Sequence, residues 1–250
     1  MTLGRAGGPP HPLLRAGQAI LDLVFPPKCV CCGEIGAFIC GLCSAGMQPA
    51  VGQRCSVCWL GGDEDLCPRC RYDRPAFRAA RSVFVYDKEK LAAYRHDGAV
   101  RSAVHALKYR GVSAVASVMA APMAELLVKW SPDVGAIVPV PLFGARRRIR
   151  GYNQSELLAR EVTRLTGLPL ETKVLHRRRA TPPQVRQPDE ESRRNNLDGA
   201  FAANPKRADG RSFLLIDDVM TTGATLDACA RVLMDAGSRS VFTLTFARED

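Results

Sequence analysis

The sequence predicts an α/β protein in which a parallel sheet flanked by helices is preceded by a small cysteine-rich module. Nine of the ten cysteines lie between Cys29 and Cys70, and the tenth is Cys229. Beyond the cysteines, short apolar runs alternate with helical patterns, as they do in parallel α/β sheets. We therefore divide the 250 residues into a flexible N-terminus with a short helix (1–27), a cysteine-rich module (28–75) and an α/β domain (76–250).

The composition is that of a soluble globular protein and argues against a membrane-spanning helix. Hydrophobic residues make up 46% of the chain and charged residues 24%, and no apolar run reaches eighteen residues. Arg15 and Asp22 interrupt the apolar stretch 13–25, and no small-residue cleavage site follows it, so we expect no secretory signal and a cytoplasmic location. We interpret this stretch as a helix that packs on a neighbouring domain, with a membrane-surface helix as the alternative.

The α/β domain is predicted to contain four strands and four helices. Its apolar runs are bounded by turn-forming residues, and its helical segments repeat apolar residues every three or four positions. We predict strands at 81–86, 136–140, 213–216 and 241–246, and helices at 97–107, 114–129, 153–166 and 224–236.

The cysteine-rich module contains four CxxC pairs, a spacing that predicts metal binding. A CxxC turn places two thiolates on one side of a tight knuckle, and two knuckles make a tetrahedral site of four sulfurs. Thiolates suit zinc, and four cysteines leave no position open for water, so we predict structural zinc; an iron–sulfur centre and disulfide bonds are the alternatives. The eight predicted ligands of two Zn²⁺ ions are Cys29, Cys32, Cys40, Cys43, Cys55, Cys58, Cys67 and Cys70.

The sequence leaves open how these pairs combine. The gaps between successive pairs are 7, 11 and 8 residues, and the two similar gaps favour a double zinc ribbon in which neighbouring pairs combine. An interleaved arrangement is the alternative. Few large apolar residues lie in the module, and structural zinc contributes about 10–16 kcal/mol in small zinc domains, so we expect the module to fold only with metal.

The stretch 213–225 predicts a phosphate site. An apolar strand is followed by two carboxylates, and a turn rich in Thr and Gly then opens an apolar helix. The free N–H groups of such a turn, its hydroxyls and the helix dipole together form a cradle for a phosphate monoester. The predicted phosphate loop consists of Thr221, Thr222, Gly223, Ala224 and Thr225.

Asp217 and Asp218 precede this loop and are expected to lie at the carboxyl end of the strand. Carboxylates at that place can accept hydrogen bonds from two ribose hydroxyls or hold Mg²⁺. Without a ligand the two acids should repel each other, so replacing both by Asn is expected to leave the fold intact or slightly more stable. The sequence has neither GK[ST] nor G-x-G-x-x-G, which argues against a P-loop NTPase and against dinucleotide binding.

The run LLIDDVMTTGAT at 214–225 closely resembles the 5-phosphoribosyl-1-diphosphate (PRPP) motif of type I phosphoribosyltransferases. With the rest of the chain, the resemblance is to the ComF family, phosphoribosyltransferase-like proteins associated with competence and DNA uptake. It spans 28–246. The other matching segments are the cysteine pairs, LKYRG at 107–111, VPVP at 138–141, RGYNQ at 150–154, TPPQ at 181–184 and the segment 193–201.

The resemblance implies a type I phosphoribosyltransferase-like fold and a site for PRPP with Mg²⁺. In that fold a loop after the second strand holds pyrophosphate, here 139–150, and a hood closes over the ligand, here 177–196. The implied PRPP-binding residues are the phosphate loop and both aspartates, together with Arg148, Arg150, Arg179 and Arg193. The implied catalytic residues are Asp217, Asp218, Lys108 and Arg150.

Three functions fit these observations. The net charge is +10, and residues 141–211 contain sixteen basic and eight acidic residues, a field that attracts phosphates. The first function is a phosphoribosyltransferase that takes PRPP or another 5′-phosphorylated ribose. The second is a non-catalytic, PRPP-responsive protein whose cysteine module contacts a partner, such as a DNA-uptake protein. The third is an accessory protein that processes single-stranded DNA, although 6% aromatic residues are few for an extended stacking surface.

Overall fold

The computed structural model describes residues 26–86, 98–179, 197 and 199–250, and in these residues a parallel sheet forms the centre of the protein. The four strands run in the order β1-β6-β5-β2, and all three strand pairs are parallel. A separate antiparallel ribbon joins β3 and β4. The strands are β1 (Ala79–Val85), β2 (Ala136–Pro139), β3 (Leu175–Arg177), β4 (Phe201–Ala203), β5 (Ser212–Met220) and β6 (Ser240–Arg248).

Helices connect the strands and cover both faces of the sheet. In the described part of the chain they are α1 (Gly41–Ala45), α2 (Pro68–Tyr72), α3 (Ala99–Tyr109), α4 (Val115–Trp130), α5 (Gly144–Arg150), α6 (Gln154–Thr166), α7 (Pro205–Ala208) and α8 (Ala224–Asp235). None of them is long and apolar enough to cross a membrane.

The predicted α/β architecture is confirmed, and the four predicted strands and four predicted helices are present with small changes at their ends. The largest change is in the strand predicted at 213–216, which continues to Met220. Its extension pairs with the end of β6, where Asp217 lies opposite Thr245 and Met220 opposite Arg248. The predicted N-terminal helix at 13–25 lies outside the described residues.

Each face of the sheet has its own core because successive side chains of a strand point to opposite faces. Leu214 and Ile216 pack with α3, α4 and α6. Phe213 and Leu215 pack with α8 and the β3–β4 ribbon. Residues 213–216 of β5 therefore form a continuous apolar run, as expected for a strand of a parallel sheet that is buried on both sides.

The cysteines form two clusters, and each cluster belongs to a different core. The first cysteine cluster (Cys29, Cys32, Cys40 and Cys43) packs against the α3–α4–α6 side, whereas the second cysteine cluster (Cys55, Cys58, Cys67 and Cys70) packs against the α8 side. Backbone hydrogen bonds fasten the module to the edge of β1. These run from Ala50 N to Val83 O (2.8 Å), from Val85 N to Gln48 O (2.9 Å) and from Ala80 N to Val57 O (2.7 Å). The division at 75/76 remains a prediction about sequence organisation, since in space the two parts are packed together.

Candidate functional site

A cleft of about 790 Å³ lies at the carboxyl edge of the sheet, where ligands bind in open α/β folds. All four strands contribute to it at or just after their carboxyl ends, through Tyr86, Val140, Met220 and Glu249. The strands are parallel, so residues far apart in sequence meet at one edge. Of the predicted site residues, those that line the cleft are Lys108, Arg150, Asp217, Asp218, Thr221, Gly223, Ala224 and Thr225.

Three predicted residues are placed elsewhere, and one lies outside the described residues. Thr222 is in the phosphate loop but does not line the cleft. Arg148 and Arg179 are exposed and do not line it either. Arg193 belongs to the segment 180–196, which the structure does not describe.

The phosphate loop turns sharply between β5 and α8. Gly223 is the N-cap residue of α8 and has φ +80°, in the left-handed region that favours glycine. A Cβ there would also lie 2.6 Å from Cε of Met220. Ala224 N donates to Thr222 Oγ1 at 3.4 Å. Thr222 thus supports the turn, while its neighbours Thr221 and Gly223 face the cleft.

Asp218 and Lys108, which both line the cleft, form a largely buried ion pair. Lys108 Nζ lies 2.9 Å from Asp218 Oδ1, and the Asp218 side chain is only 2% exposed. Burial pulls the pKa of Lys108 down, but the carboxylates of Asp218 and Asp217 outweigh burial and leave that pKa above its ordinary value. The end of α3 is therefore joined electrostatically to the end of β5.

Asp217 accepts two hydrogen bonds, yet its surroundings disfavour its ionised form. Its Oδ1 accepts hydrogen bonds from Ser155 Oγ (2.7 Å) and from the backbone N–H of Asp218 (2.9 Å). Burial and the neighbouring Asp218 carboxylate nevertheless raise the pKa of Asp217 to about 7. A cation bound between the two carboxylates would offset their repulsion and favour the ionised form of Asp217.

This geometry corrects one expectation about the aspartates and bears on a second. The strand does not end before Asp217, because pairing with β6 carries it on to Met220. The expectation that replacing both acids leaves the fold intact or slightly more stable stays a prediction, but the ion pair argues against it for Asp218, since Lys108 already offsets that charge and would lose its closest carboxylate. Only Asp217 fits the repulsion reasoning.

Five basic side chains line the same cleft as the aspartates: Arg101, Lys108, Arg146, Arg150 and Arg177. Burial and the guanidinium of Arg146 lower the pKa of Arg177, which indicates that these two positive charges repel each other. Arg150 donates to the side-chain carbonyl of Gln154, and its guanidinium lies 5.5 Å from the ring of Tyr109. An anion with several oxygens would satisfy such a set of forked donors.

Several cleft residues are absent from the predicted site. Two of them are Arg101 and His105, which lie seven and three residues before the predicted Lys108 on α3, spacings that place all three on one face of the helix. This spacing is the signal in the sequence that could have found them. Glu249 follows β6 and gives no such local signal, because only the strand order brings it beside β5.

The two cysteine clusters have the geometry of four-sulfur zinc sites. Within each cluster all four sulfur atoms lie within 4.8 Å of one another. Cys32 Sγ lies 3.7 Å from Cys40 Sγ, and Cys58 Sγ lies 3.6 Å from Cys67 Sγ. A zinc–sulfur bond of about 2.3 Å gives a tetrahedral edge of about 3.8 Å, so both clusters fit Zn²⁺. The sequential pairing favoured by the sequence is confirmed.

Arginines surround the second cysteine cluster and connect it to the sheet. Arg54 forms a forked pair with Asp250, with both nitrogen–oxygen distances 2.9 Å. Arg248 is 3% exposed. Burial lowers the pKa of Arg248, and the thiolate of Cys58 opposes this shift. A cluster of four thiolates and one Zn²⁺ carries two negative charges, which the Arg248 guanidinium would partly neutralise.

Comparison with known proteins finds relatives named for competence and DNA utilization. No family model matches the chain. Competence protein ComFC of Bacillus subtilis is 27% identical over 210 residues, which cover 82% of this chain and 83% of that protein. DNA utilization protein YhgH of Salmonella typhi is 29% identical over 81% of this chain and 87% of that protein. Competence protein F of Haemophilus influenzae is 36% identical over 115 residues, which are 45% of this chain and half of that protein.

Solved structures give weaker likenesses. The glutamine PRPP amidotransferase of B. subtilis, in complex with ADP and GMP, is 20% identical with a TM-score of 0.36, over 52% of this chain and 26% of that chain. A purine phosphoribosyltransferase from Pyrococcus horikoshii is 13% identical with a TM-score of 0.31, over 53% of this chain and 80% of that chain. Likenesses of this size carry no weight for function.

Proposed function

We propose that this chain is a member of the ComF family, that it acts in DNA uptake or utilization, and that its cleft binds PRPP, or another 5′-phosphorylated ribose, with Mg²⁺. The link to DNA comes from its relatives, which are named competence and DNA utilization proteins. The ligand comes from the cleft. One observation carries the proposal: the predicted phosphate loop, two adjacent carboxylates and five basic side chains meet in a single cleft at the carboxyl edge of the sheet.

Each part of PRPP has a matching part of the cleft. The 5′-phosphate fits the backbone N–H groups between Thr221 and Thr225, at the N-terminus of α8. The ribose hydroxyls fit Asp217 and Asp218, which present acceptors next to that loop. The diphosphate fits the arginines on the other side of the cleft, where Arg146 and Arg150 lie on α5.

The carboxylates also fit a divalent cation. Asp218 Oδ2 is buried and has no hydrogen-bond partner, so it is an acceptor that the protein itself leaves unsatisfied. The raised pKa of Asp217 points the same way, because a nearby cation favours its ionised form. Oxygen donors of this kind suit Mg²⁺, which would supply positive charge to the diphosphate of PRPP.

We propose phosphoribosyl transfer as the chemistry of this cleft. The bond between the anomeric carbon of ribose and the diphosphate oxygen breaks, and the acceptor forms the new bond to that carbon. Arg146, Arg150 and Arg177 offset the charge that develops on the leaving diphosphate. Asp217 and Asp218 hold the ribose ring through its hydroxyls, and Lys108 fixes the orientation of Asp218.

Titration calorimetry with PRPP and Mg²⁺ tests the proposal. Wild type should bind, and Asp217→Asn should lower the affinity by at least about tenfold at pH 8, because hydrogen bonds to charged groups contribute about 1.5–3 kcal/mol each. Asp235→Asn, an exposed acid at the end of α8 that does not line the cleft, is the matched control and should bind as wild type does. A folded wild type that does not bind PRPP would refute the site assignment.

Enzyme activity is tested separately from binding. Pyrophosphate release from PRPP should be measured against a panel of bases, amines and ammonia. Release with one acceptor class supports a transferase, whereas tight PRPP binding without release supports the PRPP-responsive function.

Single-stranded DNA is a second candidate ligand of the same surface, and one observation favours it. No residue of α5 is buried, and this helix carries Arg146, Arg147, Arg148 and Arg150, of which Arg146 and Arg150 line the cleft. If DNA binds there, its affinity should fall steeply with salt and PRPP should compete with it. DNA binding that PRPP does not affect would place the DNA surface elsewhere.

The cysteine clusters are proposed to be structural sites. Each has four cysteine donors, which leave no open position on a tetrahedral Zn²⁺. Their zinc would fix the fold of the module and take no part in the reaction.

A further inference from the structure

We propose that each cysteine cluster positions one wall of the cleft through a single arginine that does not itself line the cleft. Arg69 connects the second cysteine cluster to the phosphate loop, and Arg110 connects the first cysteine cluster to the end of α3. The inference rests on the proposed function, since it concerns how the same cleft is kept ready for its ligand.

Arg69 links the second cluster directly to the phosphate loop. It lies between the cluster residues Cys67 and Cys70, in α2, and the backbone N–H of Cys70 lies 3.5 Å from Cys67 Sγ. Two ligands of one metal site therefore flank Arg69 and fix its backbone. From there Arg69 Nη1 donates a hydrogen bond to the backbone carbonyl of Thr222.

The bonded carbonyl determines how the loop faces the ligand. Arg69 and Thr222 do not line the cleft, whereas Gly223 does, so the contact lies on the outer side of the loop. In a trans peptide, the carbonyl of one residue and the N–H of the next point in opposite directions. Holding the Thr222 carbonyl outward thus orients the Gly223 N–H toward the cleft.

Arg110 performs the corresponding task on the opposite wall. It is the C-cap residue of α3, and its Nη2 donates to the carbonyl of Val30 (2.8 Å), which lies within the first CxxC knuckle. The same nitrogen donates to Ser102 O at 3.1 Å, which ties the contact back to α3. Lys108, the partner of Asp218, is two residues away.

These contacts give the zinc module a role beyond its own stability. The two walls carry different parts of the ligand site, the phosphate loop on one side and the Lys108–Asp218 pair on the other. Loss of one arginine should loosen one wall and leave the other in place. A purely structural contact would weaken both walls together.

Binding of ligand fragments to the zinc-loaded full chain tests the inference. Arg69→Gln should lower the affinity for ribose 5-phosphate by about 3- to 30-fold and change the affinity for Mg²⁺–pyrophosphate little. Arg110→Gln should lower the affinity for Mg²⁺–pyrophosphate, whose cation Asp218 would bind, more than the affinity for ribose 5-phosphate. Arg69→Lys and Arg110→Lys, which keep a donor, should recover part of the loss. Arg71→Gln is the matched control, because Arg71 is on the same short helix but pairs with Glu64 at the surface.

Zinc content and amide exchange make the outcome independent of ligand binding. Each Gln variant should retain two zinc ions per chain, and hydrogen exchange at 221–225 should accelerate in Arg69→Gln and not in Arg110→Gln. Unchanged exchange and unchanged fragment affinities in zinc-loaded variants would overturn the inference, as would an equal loss of both fragments. A wild type that binds neither fragment, with faster exchange in Arg69→Gln, would instead refute the proposed function and leave the contact between cluster and loop supported.

Discussion

Replacing Asp217 by Asn should stabilise the protein without ligand, and the gain should depend on pH. Asn keeps an oxygen that can accept the hydrogen bonds from Ser155 Oγ and the Asp218 N–H. It removes the negative charge that burial and Asp218 make unfavourable. The substitution therefore isolates the electrostatic cost of Asp217.

The magnitude follows from the pKa of Asp217. That pKa is raised from an ordinary value of 3.8 to about 7. The shift corresponds to an upper limit on the order of 4 kcal/mol. Water reaches part of the Asp217 side chain and screens its charge, so we expect about half of that gain at pH 8.

The sign of the pH dependence is set by which state binds the proton. Between about pH 4 and pH 7 the folded protein keeps a proton on Asp217 that the unfolded chain has lost. Wild-type stability therefore falls as pH rises through this window. The gain of Asp217→Asn over wild type should grow from about pH 4 to pH 7 and be constant above.

Urea unfolding of zinc-loaded wild type and variant from pH 5 to 8.5 measures this difference. Both proteins have the same zinc ligands, so the pH dependence of zinc binding cancels between them. Asp235→Asn should show no gain at any pH, and Asp218→Asn should be destabilising, because Lys108 loses its partner. If Asp217→Asn were no more stable than wild type at pH 8, the inference that burial and the Asp218 carboxylate make the charge of Asp217 unfavourable would have to be rejected.

Three further predictions concern the metal sites and the phosphate loop. Elemental analysis should give two zinc ions per chain, and Cys43→Ala and Cys58→Ala should each lose one while keeping the other, since the clusters are separate; loss of both in either variant would contradict this. Affinity for PRPP with Mg²⁺ should rise by up to about tenfold per pH unit until Asp217 is ionised near pH 7 and then level off, as calorimetry across pH can show. Thr222→Val should weaken ribose 5-phosphate binding by only about two- to threefold, because the loop N–H groups remain; a complete loss would mean that the hydroxyl contacts the ligand directly.

The parts of the site that could be predicted from the sequence are those encoded by neighbouring residues. A CxxC knuckle and the TTGAT turn each specify their local geometry within about five residues, so the two cysteine clusters and the turn between β5 and α8 could be predicted. The resemblance implied Arg148, but on α5 it is exposed beside residues that do face the cleft. The helical rotation that separates Arg148 from Arg146 and Arg150 depends on where α5 begins.

Contacts between distant residues could not be predicted in this way. The Lys108–Asp218 pair depends on how α3 packs on the sheet, and the length of β5 depends on its pairing with β6. Arg69 gave no signal of its own, because its partner is a backbone carbonyl that any residue at position 222 would supply. Such contacts require the strand order, which a single sequence does not state.

The position of β6 determines the order in which the protein can fold as the ribosome makes it. β1 pairs with β6 and with no other strand of the sheet, and β5 also pairs with β6. Until residues 240–248 have been made, β1 with its attached cysteine module and the β2–β5 pair are therefore separate pieces, each with an open strand edge. Insertion of β6 between them closes the sheet and brings Asp250 to Arg54, across 196 residues of chain. Such late, long-range closure predicts slow folding and exposes strand edges to other chains during synthesis.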